Sequence, residues 1–114
     1  MTLKRVITEF GSGNDLHGGD YTMAAVRAVQ DAIHHSSLSL IRSLGVDSRT
    51  MQVEVTVAVQ RPEAVKAEAV QAALPHGQVT TVRVVKGGLD VPDDTSADVA
   101  VIASAAVTVR LDLG

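Results

Sequence analysis

The sequence predicts an α/β protein of the two-layer α+β kind, folded as a single domain over residues 1–114 with the element order β-α-β-α-β-β. Three observations carry that reading. Val53, Val55, Val57 and Val59 alternate with Gln52, Glu54, Thr56 and Gln60, the period-2 signature of a strand with one buried face. A second, longer alternation runs from about Ala97 to Leu111. Between the first strand and the valine strand, residues 21–44 carry apolar side chains at helical rather than strand spacing. The expected architecture is a four-stranded mixed sheet with two helices on one face and the other face buried by oligomerisation.

Taken in order, the first strand is expected over about Thr2 to Phe10, a β-branched and apolar run ended by a glycine cluster. Asp20 is a suitable N-cap for a helix from about Tyr21 to Leu44. At 100° per residue Val26, Val29, Ile33, Leu40 and Leu44 share a face, interrupted by Ser37, and Gly45 closes the helix as its C′ residue. After the valine strand, Pro62 and Glu63 suit the first turn of a second helix, which runs to about Leu74 and stops at Pro75-His76-Gly77. A third strand is expected from about Gln78 to Lys86, ending in Gly87-Gly88. A polar connection over Asp90–Ser96 precedes the last strand. Ala100, Ser104, Ala106 and Thr108, with Thr56 and Ala58, make the opposite sheet face small and mixed. Small residues allow close approach, which is why that face is assigned to subunit contacts, although a solvent-facing sheet would also tolerate polar members such as Glu54.

Composition narrows the function classes. The chain is 46% hydrophobic but only 2% aromatic, so its core is built from Ala and Val, each burying little area. Modest area per residue favours a homo-oligomer, with a trimer or a multiple of it expected. With no cysteine, disulfides, thiolate catalysis and Cys-ligated zinc are excluded. The net charge of −3, scattered Lys and Arg, one Tyr, one Phe and no Trp leave neither a basic stripe nor a base-stacking platform, so no nucleic-acid partner is expected. No apolar run approaches the ~20 residues that span a bilayer. The N-terminus enters a strand-like run without a signal-peptide pattern, and a cytoplasmic location follows as the expectation.

The segment Gly11-Ser12-Gly13-Asn14-Asp15-Leu16-His17-Gly18 is the candidate functional loop. A strand, a glycine-rich turn and a helix N-terminus together form a recurrent anion site, because free N–H groups and the helix dipole converge there. The dinucleotide fingerprint fails, since Leu16 stands where its third glycine belongs, and no Gly-Lys-Ser or Gly-Lys-Thr follows to make a P-loop. Asp15 and His17, two apart, can orient one another for acid–base work or supply two metal ligands. The plainer reading stands beside this: Asp15 as an Asx-turn, Asp20 as a cap only, His17 as a solvated loop residue. The candidate catalytic pair is Asp15 and His17. Candidate ligand-binding residues are Gly11, Gly13, Gly18, Asp20, His34 at the edge of the helix stripe, and Lys86 beside the second glycine pair; no metal ligand set is assigned, and the cofactor is unknown. His35 reads as solvated or as a partner contact, and His76 as a turn residue.

The pattern Gly11-x-Gly13-x-Asp15-x-His17-Gly18 resembles the GxGxDxHG signature of the uncharacterised "Lin" conserved-hypothetical family, named after a Listeria reading frame. The resemblance extends over Ala24–Val29, Asp31-Ala32-Ile33, Leu74-Pro75-x-Gly77, Gly87-Gly88 and Ala103-x-Ala105–Val109. It brings no reaction with it. The element order is also similar to the trimeric chorismate mutases, the YjgF-like deaminases and the repeat units of ring-opening amidohydrolases. That likeness implies three-fold assembly with ligands in clefts between subunits, and it is a matter of fold rather than function. The expected function is a small-molecule-binding enzyme of hydrolase or lyase type, acting on a small polar or anionic molecule at subunit interfaces. The alternative is a non-catalytic oligomeric ligand- or metal-binding module.

Overall fold

The computed structural model describes residues 3–34, 52–74 and 78–112. The elements are β1 (Leu3–Asp15), α1 (Tyr21–His34), β2 (Gln52–Val59), a 3-10 turn (Pro62–Ala64), α2 (Ala67–Ala72), β3 (Gln78–Lys86), β4 (Leu89–Pro92) and β5 (Val99–Asp112). Among the described residues the sheet is mixed and has five strands rather than the four expected. Its main path is β1-β5-β2-β3, with β4 also paired to β5. β2 and β3 are parallel, while β5 lies antiparallel between β1 and β2, so β1, β2 and β3 all run the same way. The added strand comes from the supposed polar connection. Leu89–Pro92 pairs with Ile102–Val99, taking the stretch of β5 that lies beyond its β2 partners at Ser104–Arg110.

The helix-covered face follows the alternation in β2 and β5: Val53, Val55, Val57 and Val59 are buried, as are Val101, Ala103, Val107 and Val109. On α1 the buried residues are Ala24, Ala25, Ala28, Val29 and Ala32, with Val26 and Ile33 only partly covered. Val29 stands where the expected stripe places it, while Ala24, Ala25, Ala28 and Ala32, not Val26 and Ile33, make up the rest of the buried face. Ala24, Ala28 and Ala32 are spaced by four, one above another on a single face, and they let the helix backbone settle directly on β1. A buried methylene contributes only about 0.8 kcal/mol, so this face gains from close backbone packing more than from side-chain area. The remainder of the predicted helix (Ser37, Leu40, Leu44 and Gly45), together with His35 and the Pro75-His76-Gly77 turn, lies outside the described residues.

The expected single second helix is two pieces. Pro62 starts the 3-10 turn, Val65 is extended, and α2 begins after Lys66, burying Val70. The β3–β4 connection then crosses the end of β2 at Gly87-Gly88. The Gly87 N–H donates to the Val59 carbonyl at 2.9 Å, and the Gln60 amide donates to both glycine carbonyls at 3.0 Å. Gly88 has φ +63°, and a Cβ there would collide with the Ile102 carbonyl. No helix among the described residues is long and apolar enough to cross a membrane.

Candidate functional site at the β1–α1–β5 junction

β1 continues through the glycines to Asp15, so the first half of the candidate loop is strand. Gly11 pairs with Ala105, and Gly13 with Ala103, on the helix-covered face. A Cβ at Gly13 would stand 2.5 Å from the Ala24 carbonyl oxygen and collide with the Ala28 amide. One at Gly11 would stand 2.9 Å from Ala32 Cα and collide with the Ala28 carbonyl and the Ala32 amide. Glycine is a weak strand former, which is why the sequence reads as ending the strand here. These two glycines are the seat of α1, and the helix backbone occupies the space where a side chain would be.

The turn proper is Leu16–Asp20. Gly18 and Gly19 have φ of +89° and +62°, the left-handed region that glycine enters without a Cβ clash. Asp15 Oδ2 accepts the Asp20 N–H at 2.9 Å, and its Oδ1 lies 3.4 Å from the Arg27 guanidinium. Asp20 caps α1, its Oδ1 accepting the Met23 N–H at 2.9 Å and its carbonyl accepting the Ala24 N–H. Here the expected cap is the role the residue has.

His17 does not pair with Asp15. Its Nδ1 lies 3.1 Å from Asp98 Oδ2, across the junction at the start of β5. Asp98 Oδ1 accepts the N–H groups of Gly18 at 2.8 Å and Val99 at 2.9 Å. The Gly18 N–H first, then His17 and the Val99 N–H, hold the Asp98 carboxyl below its ordinary range. A carboxylate can only accept, so Nδ1 carries the proton in this pair. In the neutral ring Nε2 then holds the lone pair. The imidazole side chain is 88% exposed, and Nε2 has no partner among the described residues.

Behind the junction, the Tyr21 hydroxyl donates to Asp90 Oδ2 at 2.5 Å, tying α1 to β4. That hydrogen bond, and then burial, raises the Tyr21 pKa, while Asp90 Oδ1 is buried without a hydrogen-bond partner. Along the outer edge of β1, Asp31 accepts the Ser12 N–H at 2.9 Å, and Arg27 donates to the Asn14 carbonyl at 2.7 Å.

The structure therefore gathers Asp15, His17, Gly18 and Asp20 at one junction and places the other candidates elsewhere. Gly11 and Gly13 lie under α1. His34 is exposed at the opposite end of α1, roughly 20 Å along a helix of this length. Lys86 is exposed at the end of β3, at the same end of the sheet but three strand spacings away, about 14 Å. Asp98 carries little signal in the sequence, since its partner stands 81 residues away; its local sign is an acidic residue immediately before a strand. Among the described residues, no group of three or more His, Asp or Glu side chains is placed to hold a metal ion.

A mixed sheet with β5 inserted between parallel strands, helices on one face and a carboxylate-bound histidine at the sheet end defines the class: a small two-layer α+β protein. The chain belongs to the Lin0512 family of conserved hypothetical proteins, which it matches over residues 5–109. No protein of curated function matches it. Among crystal structures it is similar to an FtsZ-like protein of unknown function from Nostoc punctiforme PCC 73102, with 40% identity over 98% of each chain and a TM-score of 0.84.

Proposed function

We propose that this is a cytoplasmic small-molecule enzyme of hydrolase or lyase type, working where copies of the chain meet, with His17 Nε2 as its acid–base atom. The observation that carries the reading is the His17–Asp98 pair: the carboxylate fixes the ring through Nδ1 and leaves Nε2 directed to solvent. A ring held this way takes a proton at Nε2 from a water or an acidic C–H and returns it to the leaving group, while Asp98 stabilises the imidazolium between the two steps. Asp15 serves as a positioning residue, since its oxygens hold the turn from which His17 projects. The exposure of His17 in a single chain supports completion of the site by a second copy.

A panel of small polar and anionic metabolites, screened by thermal shift, tests this. Compounds that stabilise the native protein are expected to lose their effect on His17→Ala and to weaken on Asp98→Asn, with the oligomer intact. Unchanged shifts on His17→Ala overturn the reading.

A second reading, the non-catalytic oligomeric ligand- or metal-binding module, draws on a different observation. Gly11 and Gly13 are occupied with helix packing, and Asp15 and Asp20 with holding the turn and capping α1, so most of the motif has an architectural use. Under it, His17→Ala and Asp15→Ala fall to monomers, and any metabolite or metal ion that shifts the native protein is recovered chemically unchanged.

A further inference from the structure

The face of the sheet away from the helices is divided. Across it, Phe10 of β1 lies beside Ala106 of β5 and Thr56 of β2; the next row holds Ser12, Ser104 and Ala58, and the next Asn14, Ile102 and Leu89. Phe10 is 71% exposed, Leu89 59% and Val91 48%. Ser104 and Ala106 form a shallow trough between these larger side chains. At the other end of the same face Arg110 is paired with Glu54 at 3.0 Å, and Arg83 is exposed beside Thr56. The apolar end is the one at which β1 leaves the sheet toward His17 and β5 enters it from Asp98.

We infer that a second copy of this chain seats on that apolar end, open face against open face, with Phe10 of each copy in the Ser104–Ala106 trough of its neighbour, and that the neighbour thereby borders His17. This rests on the reading of His17 as the working group and names what completes its site. Two features select a second copy packed face to face. The edge of β1 is closed to strand pairing at Ser12 and Asn14, because Asp31 and Arg27 from α1 already occupy their backbone groups. The face itself is wide enough. Four strands about 4.8 Å apart, each contributing about seven residues at about 3.3 Å, give the whole open face, its Glu54–Arg110 end included, a footprint of roughly 450 Å² in plan. With side-chain relief included, that is on the order of the 800 Å² of accessible surface per partner used by stable interfaces. The pattern is also self-complementary, since one large side chain and one trough of small ones stand on the same surface, as like-with-like assembly requires.

Sedimentation velocity on the full chain, combined with the rate of carbethoxylation of His17 followed by mass spectrometry, tests the inference. The native protein is expected to assemble. Phe10→Ser should weaken association at least tenfold, and Ser104→Arg should abolish it, each with a native circular dichroism spectrum; Gln71→Arg, on the helix side, should leave it unchanged. His17 should be modified several-fold faster in Ser104→Arg than in the native assembly. A native protein that stays monomeric at 100 μM (roughly the range in which interfaces of this size associate), or an assembly indifferent to both face variants, overturns the seat. Equal modification rates in assembled and dissociated protein overturn its placement beside His17. Loss of metabolite binding in His17→Ala with assembly intact bears on the working group alone, so the two readings fail separately.

Discussion

Gly13 and Gly18 belong to one short motif, yet they serve opposite ends of the structure's needs. Gly13 is buried within a strand, where the backbone of α1 occupies the position of a side chain. Gly18 is exposed, turns the chain at φ +89°, and has room for a Cβ, the nearest atom being Asp15 Oδ2 at 3.9 Å. One is required by what presses on it and the other by the shape of its own backbone. Reading the motif as a single ligand loop merges two tasks: seating the helix, and presenting His17 beyond it.

Substitutions that separate the tasks should separate their costs. Gly13→Ala forces a methyl into the Ala24 and Ala28 backbone, and a loss of about 3 kcal/mol is expected. In a domain of this size that lowers the melting temperature by roughly 10–20 °C, readable by calorimetry. An unchanged transition would mean that α1 does not sit where it is described.

Asp15→Ala removes the acceptor of the Asp20 N–H and the partner of Arg27. Because the Asp15 side chain is only 14% exposed, a loss of about 1–2 kcal/mol should appear in urea unfolding. Helix content should be kept, since Asp20 still caps α1.

The smallest effect belongs to the exposed half of the motif. The folded Asp98 carboxyl titrates below its unfolded value, so its contribution is present above about pH 3.9 and is lost as pH falls through the lower folded pKa. Nuclear magnetic resonance should show the Gly18 amide signal moving with a midpoint below that value, and the transition should be absent in Asp98→Asn. A midpoint at or above the ordinary value would show that Gly18 and Asp98 do not meet.

The same contrast explains what the sequence makes legible. β2 and β5 are readable because small apolar residues alternate without a break, valines in β2 and valines with Ala103 and Ala105 in β5, and burial follows that alternation. The end of β1 is hidden in the sequence because propensity treats Gly11 and Gly13 as strand breakers, while their packing depends on three alanines in another element. Those alanines are in turn less conspicuous than Val26 and Ile33, since size is the usual guide to burial. β4 escaped notice as four residues with a proline, paired only because β5 outruns β2. At the site, Asp20 is legible as a local cap. The partner of His17 is not, because nothing local links residue 17 to residue 98.

β5 stands between β1 and β2 in space but follows both in the chain, and Leu3 pairs with Asp112. While the polypeptide is being made, β1 has no strand neighbour among the described residues until residues 99–112 have been synthesised, and before that α1 can meet β1, β2 and α2 but not β5. Until then the Gly11 and Gly13 seat of the helix lacks the strand that pairs with it. Long-range pairing of this kind makes folding slow and late. The contact between His17 and Asp98 waits on the same segment, so the junction cannot take its shape before β5 is in place.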